Sequence, residues 1–132
     1  FETKNRYFFC YDPALMKKIF DEMRAGGKYT SAIGEFEVVA VRDLTNGFDS
    51  RPASMPRSPL PVTPSIEMIT YYFKNGGVAT LRGSGTEPKL KYYVELSGPD
   101  RAQVHANLDR LVSAIIAQCL QPTKFGLVPP TD

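Results

Sequence analysis

The run Lys89-Leu-Lys-Tyr-Tyr-Val-Glu-Leu96 puts Leu90, Tyr92, Val94 and Leu96 on one side of an extended chain and Lys89, Lys91, Tyr93 and Glu95 on the other. Side chains of a strand alternate between faces, so this run fits a sheet with one face packed and the other meeting solvent or ligand. Two earlier segments supply its neighbours. Ile66–Phe73 and Val78–Arg82 are rich in β-branched and aromatic residues and are joined through Asn75-Gly76-Gly77, which reads as a β-hairpin. Phe36–Asp43 (FEVVAVRD) is a further strand, with Glu37 and Arg42 near its ends where side chains reach water. Asn46-Gly47 after it readily supplies the positive φ angles of a tight turn.

A half-apolar sheet needs a cover, and two helical segments provide it. From about Pro13 to Ala25, Leu15, Met16, Ile19, Phe20 and Met23 recur at the helical period. Asp12 is suited to cap its first N–H groups, Pro13 loses no needed donor, and Gly26-Gly27 can end it. A second helix is expected from about Arg101 to Leu120, capped by Ser97–Asp100 and stopped at Gln121-Pro122, with Val104, Leu108, Leu111, Val112, Ile115 and Cys119 as its apolar stripe. The order helix, four strands, helix predicts an α+β fold in which a four-stranded, mainly antiparallel sheet carries two helices on one face. Arg6–Tyr11 has the aromatic density of a short buried strand or an anchoring segment. Residues 50–65, with Pro52, Pro56, Pro59, Pro61 and Pro64, read as a loop, and residues 121–132 as a tail, so residues 1–132 form a single domain.

Composition then removes whole classes of function. Sixteen basic and 14 acidic residues leave a net charge of +2, spread along the chain, which gives no electrostatic reason to expect nucleic acid or an anionic membrane. No apolar run approaches the ~20 residues of a membrane span. Cys10 and Cys119 stand far apart in apolar segments and read as buried free thiols. His105 is the one histidine, so Ser-His-Asp, Cys-His and histidine-rich zinc sites lack material, and no catalytic or metal-ligating set is expected in this chain. Its first residue is Phe1, which suggests a domain of a longer protein or a processed product.

One segment departs from what packing selects. Arg82-Gly-Ser-Gly-Thr-Glu-Pro88 joins two strands through more residues than a plain hairpin uses, and it concentrates glycines and hydroxyls. One reading is a long structural turn. The other is a phosphate cradle: Gly83 and Gly85 let successive N–H groups face one point, Ser84 and Thr86 add hydroxyl donors, and Arg82 offers a planar fork. Lys89 and Lys91, on one face of the next strand, add positive potential; Glu87 is expected to orient the loop or a neighbouring arginine. The Walker pattern is absent, and Gly83-Ser-Gly85 lacks the third glycine of a dinucleotide fingerprint and leads into a strand. A different ligand remains the third option for the segment.

The stretch Val78–Glu95, with Arg82-Gly-Ser-Gly-Thr-Glu-Pro-Lys at its centre, resembles the C-terminal, fourth domain of the α-D-phosphohexomutases. The likeness is to the eukaryotic phosphoglucomutase branch that also handles pentose phosphates and includes the glucose-1,6-bisphosphate synthases. Phe36–Ser50, Met68–Thr70 and Gln121-Pro122 share it, so it covers most of the chain. Gly83, where that branch often has threonine, Ile66-Glu67 and the proline-rich segment depart from it.

The resemblance implies a TATA-box-binding-protein-like fold whose loop grips the non-reacting phosphate of a sugar phosphate. By position, Arg82, Ser84, Gly85 and Thr86 would be the phosphate contacts, with Gly83, Glu87, Lys89 and Lys91 in support. It also implies a full-length cytoplasmic isomerase with a phosphoserine, Mg²⁺ and glucose 1,6-bisphosphate. The phosphoserine and metal loops have no match here, so this domain is expected to bind no cofactor, to be inactive alone and to work with preceding domains of the same enzyme. The competing readings are a free-standing phosphosugar-binding regulator and a nucleic-acid binder, the latter resting on fold likeness alone.

Overall fold

In the computed structural model, which describes residues 2–51, 67–83 and 87–130, the alternating run becomes strand β7 (Lys89–Leu96), with Leu90, Tyr92, Val94 and Leu96 buried. In chain order the other elements are β1 (Glu2–Phe9), α1 (Pro13–Arg24), β2 (Ala32–Ile33), β3 (Phe36–Asp43), β4 (Phe48–Asp49), β5 (Met68–Phe73), β6 (Val78–Gly83), α2 (Arg101–Ile115) and α3 (Pro122–Phe125). The sheet runs β1-β7-β6-β5-β3-β2, with β4 attached to β3, and every pairing is antiparallel. β3, β5, β6 and β7 form the expected meander. The α+β class holds, but the expected four-stranded sheet is corrected to one of seven strands among the described residues.

The additional strands arise where local pattern is weak. β1 pairs with β7 along its whole length, from Glu2 opposite Leu96 to Phe9 opposite Lys89. Lys4, Asn5 and Arg6 interrupt any apolar alternation in β1, because as an edge strand it needs a neighbour's backbone more than a buried face. β2 and β4 are two residues each, too short to leave a periodic signal. The proline-rich segment from Pro52 to Pro64, Ile66 and the residues Ser84, Gly85 and Thr86 lie outside the described residues.

Both long helices cover one face. Met16, Ile19, Phe20 and Met23 of α1 and Val104, Leu108, Leu111, Val112 and Ile115 of α2 join Leu81, Leu90, Tyr92 and Val94 in one core. Fully burying such side chains contributes about 1.5–3 kcal/mol each. The caps act as their chemistry requires: Asp12 accepts from Ala14 N–H at 3.0 Å, and Asp100 accepts from Ala102 and Gln103 at 3.0 and 3.2 Å. Helix α2 continues as a wider π turn over Ile116–Leu120 and ends at Gln121, in the left-handed region at φ 42°. The tail then turns through α3, buries Phe125 and Leu127, and bridges Val128 to Phe9. Gly34, at φ +60°, lets the β2–β3 turn approach α2, since a Cβ there would lie 2.7 Å from that of Ala114.

The other face carries no helix among the described residues. Register places Met68, Arg82, Lys91 and Tyr7 in one row across β5, β6, β7 and β1 on that open side. Thr70, Thr80, Tyr93 and Asn5 form the next row.

Candidate functional site

Strands β6 and β7 deliver the connection 84–88 to the end of the sheet, and both of its roots are fixed by backbone bonds. At the entrance, Gly83 N–H donates to the Glu67 carbonyl at 2.8 Å; at the exit, the Pro88 carbonyl accepts from Cys10 N–H at 2.7 Å. Gly83 faces the helices: a Cβ there would come within 3.1 Å of the Met16 Cγ and Sδ atoms. A residue larger than glycine would need Met16 to shift by a few tenths of an ångström, so glycine at this position has a packing reason.

Since Gly83 points inward, Arg82 points to the open face, where it is exposed and directly opposite Lys91. Arg82 enters none of the ion pairs formed among the described residues. The Glu87 carboxylate takes Lys89 at 3.1 Å and Lys91 at 3.6 Å, so both lysines are partly neutralised as sources of positive potential. The Lys89 hydrogen bond, with help from Lys91, holds the Glu87 carboxyl below the usual carboxylate range, and Glu87 in turn raises Lys89. Lys89 also sits 4.4 Å from the centroid of the Tyr7 ring, a cation–π contact. Asn5, Arg6, Tyr7, Lys89, Lys91 and Tyr93 line a groove of about 400 Å³ running from this corner across the open face.

Of the expected phosphate contacts, the structure positions Arg82, with Gly83, Glu87, Lys89 and Lys91 gathered at the same corner. Ser84, Gly85 and Thr86 fall outside the described residues.

Behind the corner, on the helix side, lies a group of residues that sequence reasoning missed. Asp43 is fully buried and accepts from Arg24 Nε at 2.6 Å, from the Tyr29 hydroxyl at 2.7 Å and from Thr45 N–H at 3.0 Å. Arg24 also reaches Glu67 at 2.7 Å and Asp21 at 2.8 Å. Burial opposes the charge on Arg24, but its bonds to Asp43 and Glu67 outweigh that and raise its pKa. Glu67 thus links this group to the loop, because its backbone carbonyl holds Gly83. A signal existed: counting by two from buried Val41 puts Asp43 on the packed face, where an acid demands a partner.

Other residues take plain roles. His105 is exposed on α2, 3.6 Å from Asp109. Cys10 and Cys119 are free and buried, and burial pushes the Cys119 thiol up to about 12. Tyr71 and Tyr92 pack in the core, whereas Tyr93 stands on the open face, as the alternation of its strand predicts. Among the described residues, no three His, Cys, Asp or Glu side chains converge as a metal ion requires, and no helix is long and apolar enough to cross a membrane.

Comparison with known proteins gives the site a context. The chain is 47% identical over 137 residues to a phosphopentomutase of Pongo abelii, covering 98% of the chain and 22% of that protein. It is 44% identical over 133 residues to a glucose 1,6-bisphosphate synthase of Homo sapiens, covering 96% of the chain and 21% of the relative. A probable phosphoribomutase of Schizosaccharomyces pombe is 33% identical over 134 residues, again with 98% of the chain and 23% of the relative covered. The chain thus spans about a fifth of the length of these curated relatives. No family model matches it, and no solved structure does.

Proposed function

The chain belongs to the phosphohexomutase family, and on that premise we propose that it is the C-terminal, phosphate-gripping domain of a phosphoglucomutase/phosphopentomutase-type isomerase. Arg82, Ser84, Gly85 and Thr86 hold the phosphate of a sugar phosphate that is not reacting, while a phosphoserine elsewhere in the enzyme exchanges its phosphoryl group with the sugar. The observation that carries the reading is the exposed guanidinium of Arg82 beside Lys91, at the mouth of a glycine- and hydroxyl-rich connection with both roots fixed.

Such a site contributes by positioning. Gripping the distal phosphate holds the sugar in register for in-line transfer, which converts a chance encounter into an oriented one. Backbone N–H groups, hydroxyls and one arginine recognise phosphate with little regard for the carbon that bears it, which suits a bisphosphate such as glucose 1,6-bisphosphate that presents either end. The groove lined by Asn5, Tyr7, Lys91 and Tyr93 is of a size to receive the attached sugar. The phosphoserine and the Mg²⁺ that supports phosphoryl transfer belong to other parts of the enzyme, so this domain binds without catalysing. A TATA-box-binding-protein-like topology and a cytoplasmic setting go with this reading.

The test is an amide-shift titration of the chain with inorganic phosphate, glucose 1-phosphate and glucose 6-phosphate. Similar shifts for all three at residues 82–91 are expected. Shifts confined to another part of the molecule would overturn the reading.

A further inference from the structure

Among the described residues at the loop mouth, Arg82, Lys89 and Lys91 carry three positive charges and Glu87 one negative, a surplus suited to a phosphate dianion. The ion pairs of Glu87 with Lys89 and with Lys91 are unequal. Lys89 is held at 3.1 Å, is fixed again over the Tyr7 ring at 4.4 Å, and donates its backbone N–H to the Glu87 carbonyl at 2.8 Å. Lys91 is held only at 3.6 Å and stands directly opposite Arg82. An anion lying between Arg82 and Lys91 therefore competes with Glu87 for the Lys91 ammonium.

We propose that Glu87 is a resident counter-anion of the phosphate site: it holds Lys91 while the site is free, yields it to a phosphate dianion, and retakes it when the ligand leaves. This rests on the proposed function above and adds to it a residue that sets how readily a sugar phosphate is released. Lys89 is the fixed half of the arrangement and Lys91 the exchangeable half. The carboxylate is ionised near neutral pH, as any exposed glutamate is, so the competition persists under working conditions. Its location fits the task. Glu87 is about half exposed, at 46%, so water is at hand to solvate its carboxylate when Lys91 is released.

The experiment is calorimetric titration of the chain with inorganic phosphate and with glucose 1-phosphate, comparing wild type, Glu87→Gln, Lys91→Met and the double variant. Glu87→Gln is expected to bind both ligands about threefold more tightly at low salt, as removal of a competing exposed ion pair implies, and the gain should vanish in the Lys91→Met background. Glu87→Asp, whose shorter side chain cannot span to Lys91, should give part of the gain and serves if the glutamine variant folds poorly. Unchanged or weaker binding by these variants overturns the proposal and makes Glu87 a loop-orienting residue. The two readings fail separately. If Arg82→Ala binds phosphate as well as wild type, the phosphate site itself is wrong. Should Arg82→Ala lose binding while Glu87→Gln gains none, only the counter-anion role falls.

Discussion

Two groups of charged residues occupy opposite sides of the same end of the sheet. On the helix side, Arg24, Asp43, Tyr29 and Glu67 form a buried set with bonds of 2.6–2.7 Å; on the open side, Arg82, Glu87, Lys89 and Lys91 form an exposed one with ion pairs of 3.1 and 3.6 Å. The chemistry of the pairs is similar, and burial separates their roles. A buried charge that loses its partner is left without water, so the Asp43 group fixes one geometry. An exposed pair exchanges partners with solvent or ligand at little energetic expense, so the Glu87 group can open for an anion. The Glu67 carbonyl and Gly83 N–H connect the two, so the rigid set provides the footing on which the exchangeable set stands.

That contrast is most sharply tested at Asp43. Asp43→Ala leaves Arg24 and Tyr29 without their shared acceptor and is expected to cost about 3–5 kcal/mol, read as a lower urea midpoint by circular dichroism. Next comes Arg82→Ala, which should leave that midpoint in place but weaken phosphate binding about thirtyfold by calorimetry. If Arg82→Ala destabilised the fold as Asp43→Ala does, the division between the two sides would break.

Tyr29→Phe probes the buried set more gently, with an expected loss of about 1–2 kcal/mol, because Asp43 Oδ2 loses the hydroxyl but keeps its bond from Arg24 Nε. Burial, with the Asp43 bond, raises the Tyr29 pKa. A folded value above the unfolded one means this contribution is complete below about pH 10 and is lost as pH rises through the folded value. Denaturation midpoints between pH 9 and 11 should therefore fall less steeply for Tyr29→Phe. The smallest effect is on the acid side. Glu87 has a depressed pKa, so its contribution is present above its unfolded value and lost as pH falls through the folded one. The midpoint difference between wild type and Glu87→Gln should shrink as pH drops below about 4.

Much of this was legible along the chain. The apolar stripes of α1 and α2, the Asp12 and Asp100 caps, the β5–β6 hairpin and the alternation of β7 all follow from residues within one or two turns of each other. The loop from Arg82 to Pro88 announced itself by composition, because glycines and hydroxyls between two strands serve little packing purpose. β1 was only half legible: its aromatic end showed, whereas Glu2–Asn5 take their conformation from the backbone of β7, some ninety residues later. That Glu87 meets Lys89 and Lys91 was not legible, since distances along the chain do not say which cation a side chain on a strand end meets first.

The sequence alone determined the periodicities, the helix ends and the residue types at the loop, because each depends on local backbone sterics and on hydrogen bonds between near neighbours. Tertiary structure decided which face of the sheet stays open, that Asp43 is partnered by Arg24 from another element, and that Arg82 and Lys91 stand side by side. Those outcomes depend on contacts between residues far apart in the chain, whose energies exist only once the layers have closed on one another.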